Sequence, residues 1–309
     1  MIYKIVLQTF LLAAFCCFST EVALAKGNTS FKSKKEIKEN LPTGIHEMFE
    51  VRINKNVKKY ISSYLVRGKS STQKIIGNST IYFPIFEEYL AAHNLPNELK
   101  YLSVVESHLN PNAISPCGAV GLWQFMAPTA RQMGLIIDDY VDERKDIYRS
   151  TDAALQYLQQ LYGRYQDWGL AIAAYNCGPG RVDRELRSTN GNSFWDIRSQ
   201  LPKETQRYLD RFIAVNYAMK NYQFYNLRPR YPDYTLQMTQ VQKIHTRFSF
   251  TKIAKLTGLN KSTIVQLNPS YRKEIIPPNH NGYYLVLPAI GVKENWQEEF
   301  LNPVNTANK

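Results

Sequence analysis

The middle of the chain, residues 95–225, is a series of helix-forming segments with clear stop signals and no strong strand pattern. Asp167 is expected to cap a helix of small and apolar residues that Gly178 ends. After Pro202 a longer helix is predicted, because apolar side chains recur on one of its faces. Such a region can fold only as a helical domain, since each amphipathic helix must bury its apolar face against its neighbours.

The segments on either side of that 168–176 helix extend the same pattern. Ser150 or Thr151 is expected to cap the helix that precedes it. Amphipathic stretches at 57–65 and 83–90 predict two further helices nearer the N-terminus. Residues 68–80 between them are rich in Ser, Gly and Lys, which predicts a loop.

The C-terminal part of the chain has a different character after a linker at 228–232. Residues 234–238 alternate like a strand, and residues 282–288 are typical of a closing strand. Between them, segments 250–256 and 261–267 predict two short helices. The predicted fold is therefore mainly α, with a small C-terminal βααβ module of the size that usually serves for binding.

The N-terminal 25 residues are interpreted as a secretory signal peptide. Their apolar run, Ile5–Phe18, is shorter than the ~20 residues that a membrane span needs, and Ala23–Ala25 has the small-x-small cleavage pattern. A retained membrane anchor is the alternative. Cys16 raises the question of lipidation, but Phe15 stands where a small residue is expected.

The chain is basic, with a formal net charge of +12, which favours an acidic partner. Export argues against nucleic acid and leaves anionic lipid or an anionic wall polymer. Solubility alone is the simpler interpretation, because most of the charges are scattered along the sequence.

Two cysteines remain after the signal peptide, Cys117 and Cys177. An oxidising compartment permits a disulfide between them, and two separate buried thiols are equally compatible with the sequence. No His/Cys cluster has metal-ligand spacing and no glycine-rich loop resembles a phosphate cradle, so neither a metal nor another cofactor is predicted.

Glu106 is the first candidate catalytic residue. It follows Leu99 and Leu102 at helical spacing, in a segment that begins after Pro96 and stops at Asn110. A carboxyl on an apolar stripe is costly when ionised, so its pKa should rise, as a general acid requires. A glutamate at the edge of the stripe, reaching solvent or a salt bridge, is the alternative.

Four short motifs in fixed order strengthen this interpretation: Glu106–Ser107, Gly118–Met126, Ala173–Gly178 and Glu204–Tyr208. Together they resemble the catalytic domain of the soluble lytic transglycosylases, a family related to goose-type lysozyme. The resemblance covers about residues 80–225 and implies an all-helical, lysozyme-like fold with a sugar-binding groove.

The resemblance also implies roles for individual residues. Glu106 matches the single catalytic acid/base, and Ser107 the serine that orients it. Trp123 stands in place of the usual methionine, as is common in the D-type branch. The substrate-binding set implied by the motifs is Ser107, Trp123, Gln124, Tyr175, Asn176 and Tyr208.

The implied activity is cleavage of the β-1,4 bond between N-acetylmuramic acid and N-acetylglucosamine in peptidoglycan, with formation of 1,6-anhydro ends. A hydrolytic muramidase and an inactive wall-binding protein are the alternatives. Ordinary glycosidases need a second carboxylate. Four acidic residues near position 140 are interpreted instead as solvated loop charges: Asp138, Asp139, Asp142 and Glu143.

The C-terminal module resembles the LysM peptidoglycan-binding family, mainly in Ile253–Leu256 and Ile264–Pro269. The usual Gly-Asp-Thr-Leu start is absent, and His245–Phe248 stands near that position. Packing against the catalytic domain is therefore an alternative to glycan binding. The partners implied are peptidoglycan strands and an associated membrane, and the protein is expected to be a monomer in the periplasm or cell envelope.

The expected organisation has five parts. They are a signal peptide at 1–25, a polar and helical extension at 26–80, a catalytic domain at 81–227, a LysM-like module at 234–290 and a polar tail at 291–309.

Overall fold

A computed structural model describes residues 33–293 and residue 296. The predicted signal peptide and most of the predicted polar tail lie outside these residues. The α-helices are α1 (Lys34–Glu39), α2 (Thr43–Met48), α3 (Lys55–Ser62), α4 (Lys69–Ala92), α5 (Tyr101–Ser107), α6 (Ala127–Gln132), α7 (Ile147–Tyr165), α8 (Trp168–Cys177), α9 (Pro179–Thr189), α10 (Phe194–Ile197), α11 (Lys203–Asn221), α12 (Tyr234–Gln237), α13 (Phe250–Thr257) and α14 (Lys261–Leu267).

Shorter elements complete the described part of the chain. Three 3₁₀ turns occupy Asn97–Lys100, Glu143–Lys145 and Tyr222–Tyr225, and a π-helical turn at Ser63–Arg67 continues α3. The strands are β1 (Thr239–Ile244), β2 (Phe248–Ser249), β3 (Ile275–Ile276) and β4 (Tyr283–Pro288). Within the described residues, no helix is both long and apolar enough to cross a membrane.

The start and end of α8 follow the local rules. The Asp167 side chain accepts a hydrogen bond of 2.6 Å from the backbone N–H of Leu170. Gly178 follows the helix with a φ of 83°, a conformation that favours glycine. The predicted helix and both of its boundary signals are confirmed.

The predicted cap of α7 is wrong. Asp146 caps that helix, accepting hydrogen bonds from the backbone of Tyr148 at 3.0 Å and Arg149 at 2.8 Å. Ser150 and Thr151 lie within the first turns and are fully buried. A carboxylate four residues earlier competes better for the free N–H groups of the helix start.

The predicted loop at 68–80 is also wrong, because α4 runs through it without interruption from Lys69. Thr72 donates a 2.6 Å hydrogen bond to the carbonyl of Tyr64, which turns the chain into the new helix. A Cβ at Gly77 would come within 1.8 Å of the Arg230 carbonyl, so glycine is needed for that linker to pack against the helix. Local composition could not reveal this tertiary contact.

One hydrophobic core joins helices from residues 33–92 to those from residues 99–227. Helix α11 contributes much of it, and α3 packs along α11. The fully buried Asp210 on α11 fastens this contact, because it accepts hydrogen bonds from Asn54 and Arg198, each at 2.7 Å. Burial of this carboxylate is tolerated because these partners satisfy its oxygens.

The C-terminal module has a separate hydrophobic cluster. Strands β1 and β4 pair antiparallel, β2 pairs with β3, and α13 and α14 lie between these strands in sequence. The predicted mainly α fold with a βααβ module is confirmed. The strand predicted at 234–238 is wrong, because Asp233 caps the short helix α12 there and the strand begins at Thr239.

Candidate active site

Glu106 lies in the last turn of α5, the helix in which it was predicted. The hydroxyl of Tyr208, from α11, donates a hydrogen bond to its carboxyl oxygen Oε1. Because Tyr208 is only 2% exposed, its ring is fixed by packing. A side chain from a second helix therefore fixes the direction of the Glu106 carboxyl.

Burial raises the pKa of Glu106 to about 7. The hydrogen bond from Tyr208 and the positive charge of Arg211 favour the ionised form and lower the pKa, but they do not outweigh burial. The negative charge of Glu204 raises it. The carboxyl can therefore both give and take a proton near neutral pH.

Residues 113–126, called here the active-site loop, surround this carboxyl on one side. Val120 pairs with Phe125 in a tight turn that contains Gly121, whose φ is 87°. Gln124 also has a positive φ, of 49°, and its amide donates to the Gly121 carbonyl at 2.8 Å and the Ala113 carbonyl at 3.2 Å. The loop is thus tied together by its own hydrogen bonds.

Ser107 connects α5 to this loop. Its hydroxyl lies 2.9 Å from the Leu122 carbonyl, to which Ser103 also donates at 3.0 Å. Any effect of Ser107 on the orientation of Glu106 therefore runs through the backbone of α5.

Trp123 was predicted to bind substrate, but its side chain is a core residue that does not line the cavity. It is completely buried, its ring packs 5.0 Å from that of Phe86, and its indole N–H donates to Thr151 at 3.0 Å. The indole fills the space behind the loop and has no path to a ligand. Only its backbone carbonyl takes part in the site, accepting a 2.8 Å hydrogen bond from the Tyr175 hydroxyl.

Tyr175 and Asn176 come from the last turn of α8 and are partly buried. The Asn176 side-chain oxygen accepts a 2.8 Å hydrogen bond from the hydroxyl of Thr205 on α11. That contact fixes the amide and leaves its N–H₂ group as the donor side.

A cavity of about 640 Å³ opens beside Glu106. Gln124, Tyr175 and Asn176 line it together with Glu106, whereas Ser107 and the buried ring of Tyr208 support it from behind. The other lining residues are Ser115, Pro116, Cys117, Ala119, Phe125, Met126, Thr129, Tyr157, Cys177, Gly178 and Glu204.

The motif analysis left several residues of this site without a role. Glu204 and Thr205 belong to the fourth motif, and Cys177 belongs to the third. Their position within these motifs could have identified them as residues of the site. Cys117 and Cys177 are free thiols that line the same cavity. A second carboxyl in the cavity, that of Glu204, bears directly on mechanism.

The prediction of solvated charges near position 140 is wrong for two of the four residues. Asp138 and Asp139 are exposed, but Asp142 and Glu143 are each only 4% exposed. Asp142 pairs with Arg144 and Glu143 with Arg149. Burial is tolerated because each carboxylate has a guanidinium partner. None of the four lines the cavity.

Fold and site together define a helical domain with one half-buried carboxyl beside its cavity, followed by a small βααβ module. Residues 83–197 match the family model of the transglycosylase SLT domain. Residues 237–297 match that of the "Lytic transglycosylase MltD, LysM-like domain". The first part of the chain is therefore similar to SLT transglycosylase domains, and its C-terminal module is similar to the LysM-like domain of lytic transglycosylase MltD.

Known lytic murein transglycosylases are similar to this chain. Membrane-bound lytic murein transglycosylase D of Escherichia coli K12 is 29% identical over 255 residues, which cover 81% of this chain and 54% of that protein. Membrane-bound lytic murein transglycosylase F of Shewanella halifaxensis is 34% identical over 45% of this chain and 30% of its own. The present chain spans about half the length of the D-type relatives.

Among solved structures, the 70 kDa soluble lytic transglycosylase of Escherichia coli matches with a TM-score of 0.39 and 26% identity, covering 48% of this chain and 26% of that one.

Proposed function

We propose that the protein is an exported peptidoglycan lytic transglycosylase. It cleaves the β-1,4 bond between N-acetylmuramic acid and N-acetylglucosamine and leaves 1,6-anhydro-muramoyl ends. Residues 81–227 carry the activity, and residues 234–290 form the LysM-like module. The observation that carries the proposal is the Glu106 carboxyl beside the cavity, with its pKa raised to about 7 and its direction set by Tyr208.

In the first step Glu106 acts as the acid. A glycosidic oxygen leaves only when it is protonated, and a carboxyl that is substantially neutral at pH 7 can supply that proton. The bond between the muramoyl C1 and this oxygen breaks as the proton moves. The N-acetyl carbonyl of the same sugar stabilises the positive charge that develops at C1.

In the second step the ionised Glu106 acts as the base. It takes the proton from the muramoyl 6-hydroxyl, whose oxygen bonds to C1 and closes the anhydro ring. Glu106 returns to its protonated form, and no water is consumed. Because the nucleophile belongs to the same sugar, proximity replaces the second carboxylate of an ordinary glycosidase.

The remaining cavity residues bind and orient the sugar. The Asn176 amide N–H₂ and the Gln124 side chain line the cavity and suit the N-acetyl groups of the substrate. Tyr175 adds an aromatic wall, 6.4 Å from the ring of Phe125. Both amides are already held by protein hydrogen bonds, so little ordering is needed when substrate binds.

A hydrolytic muramidase is the second candidate, because Glu204 brings a second carboxyl to the cavity. In that reaction Glu204 would activate water, and the product would carry a reducing end. An inactive wall-binding protein is disfavoured, since Glu106 and the residues that orient it are all in place.

The proposed location is the cell envelope, where the substrate is found. The net charge of +12 suits an anionic wall polymer or the surface of an anionic membrane. Neither a cofactor nor a second subunit is required by the proposed reaction, and we propose that the protein acts as a monomer.

The products of digested sacculi distinguish the two reactions. We expect mass spectrometry to find muropeptides lighter by one water than hydrolysed ones, because the anhydro ring closes without water. Treating the same sacculi with a hydrolytic muramidase gives the matched reference. Digests that contain only reducing ends would refute the transglycosylase and support the muramidase.

The charge of Glu204 should be visible in the pH profile. We expect Glu204→Gln to move the fall in kcat/KM above pH 7 to lower pH, because removing a like charge lowers the pKa of Glu106. At low pH, where kcat/KM is constant, its value for the variant should stay within about three-fold of the wild type. The reason is that Glu204 transfers no proton in this mechanism.

Salt provides the control for that measurement. Glu204 is exposed, so its effect should shrink at high ionic strength, where charges more than a few ångströms apart are screened. The fall in kcat/KM of Glu204→Gln could instead move to higher pH, or stay in place even at low salt. Either result would mean that Glu204 does not act on Glu106 electrostatically.

A further inference from the structure

Residues 136–146, called here the bridging segment, contact both the LysM-like module and the active-site loop. Nothing in the proposed mechanism uses this segment, yet it contains the buried and fully paired Asp142 and Arg144. Buried ion pairs do little for stability by themselves, and in some proteins they fix one specific geometry.

On the module side, the bridging segment is held by backbone and core contacts. The Asp142 N–H donates to the Ser270 carbonyl, and the Arg272 N–H donates to the Tyr140 carbonyl, both at 2.8 Å. Val141 is 1% exposed and belongs to the hydrophobic cluster of the module. The module therefore includes a side chain from the bridging segment in its own core.

A chain of charges leads from the module toward the active site. The guanidinium of Arg272 donates to Asp142 Oδ2 at 2.8 Å. Arg144 donates to both oxygens of the same carboxylate, at 2.9 and 2.8 Å. Asp142 thus has a cation on either side, one from the module and one from the bridging segment.

Arg144 completes the connection. Its Nη1 donates to the carbonyl of Gly118 at 3.1 Å, just before the tight turn of the active-site loop, and to that of Phe125 at 3.3 Å, at the end of the turn. The backbones also touch, because a Cβ at Gly121 would lie 1.9 Å from the Arg144 carbonyl. The direction of the Arg144 guanidinium therefore determines where the turn can lie.

We propose that the LysM-like module positions the active-site loop, with Arg272 as the positioning residue that acts through Asp142 and Arg144. The module then helps to hold the loop that lines the substrate cavity, in addition to any contact it makes with the cell wall. The kinetic consequences of this inference rest on the proposed function. Its structural consequence, the position of the active-site loop, does not.

The side of the loop that would move carries Gln124, Phe125 and Met126, which line the cavity, while Glu106 stands on a separate helix. Loosening the loop should therefore weaken substrate binding more than it slows the chemical step. The core contact of Val141 and the backbone hydrogen bonds keep the module attached when only the Arg272 charge is removed.

The test compares Arg272→Ala with Arg272→Lys and with the control Arg247→Ala, which removes an exposed arginine of the same module. Hydrogen exchange of the full-length proteins follows the amides of residues 113–126. We expect Arg272→Ala to speed their exchange about five-fold, with α8 and α11 unchanged, because a partly exposed charge pair contributes modestly. Arg272→Lys should restore part of the protection, and Arg247→Ala should match the wild type.

Kinetics on a soluble tetrasaccharide of the glycan strand provide the second readout. For Arg272→Ala we expect KM to rise about three- to five-fold while kcat stays within about two-fold. Unchanged loop exchange in Arg272→Ala, or an equal change in Arg247→Ala, would overturn the positioning role. Wild-type protein that cleaves no glycan would instead refute the proposed function, and the exchange comparison would still decide the positioning.

Discussion

Glu106→Gln is expected to reduce lysis of peptidoglycan at least about 1000-fold, because the single group that gives and takes the proton is lost. Glutamine has nearly the same shape and can still accept the hydrogen bond from Tyr208. The fold and the binding of sacculi should therefore be retained. Turbidity of a sacculus suspension measures the loss, and a pull-down with the same sacculi measures binding.

Glu204→Gln is the matched control, since it removes the other cavity carboxyl in the same way. We expect its activity at pH 6 to stay within about three-fold of the wild type, because Glu204 transfers no proton in this mechanism. If Glu204→Gln were as inactive as Glu106→Gln, two carboxylates would be needed and the single acid/base mechanism would be wrong. Full lysis by Glu106→Gln would mean that Glu106 is misassigned.

Tyr208→Phe is expected to lower kcat about 10- to 100-fold, because the carboxyl of Glu106 is no longer held in one direction. The same change should move the fall in activity at alkaline pH to higher pH. The Tyr208 hydrogen bond favours ionised Glu106 and lowers its pKa, so losing it raises that pKa. Initial rates between pH 5 and pH 9 measure both effects.

Tyr157→Phe is the control for that change, because Tyr157 lines the cavity but belongs to α7. Its pH profile should match that of the wild type. The shift expected for Tyr208→Phe is opposite in direction to that expected for Glu204→Gln, and the pair therefore tests the electrostatics of the site from both sides. A profile for Tyr208→Phe that moves to lower pH would contradict the account.

Sequence patterns predicted those parts of the fold that depend on neighbouring residues. The Asp167 cap, the Gly178 stop and the buried face of α11 are all local, and they were confirmed. The predictions failed where the local structure depends on a contact with a distant part of the chain. Residues 68–80 belong to a helix whose Gly77 lies against the linker at Arg230, a contact that no local composition rule can detect.

The same distinction holds for the site. The apolar stripe alone left the role of Glu106 open, and the later motifs made it the candidate catalytic residue. The burial of Trp123 and of Asp142 was missed, since it depends on Thr151, Arg144 and Arg272 from other parts of the chain. Hydrogen bonds and ion pairs with distant residues make such polar groups tolerable in the interior. A sequence does not show which residues form these pairs.

The central claim is that Glu106 activates the substrate's own hydroxyl and not water. Digestion of sacculi in isotopically labelled water, followed at once by mass spectrometry, tests it most directly. The account predicts anhydro-muramoyl ends that lack one water and contain no labelled oxygen. Labelled oxygen at the muramoyl C1 of the newly formed ends would show that water is the nucleophile and would contradict the account.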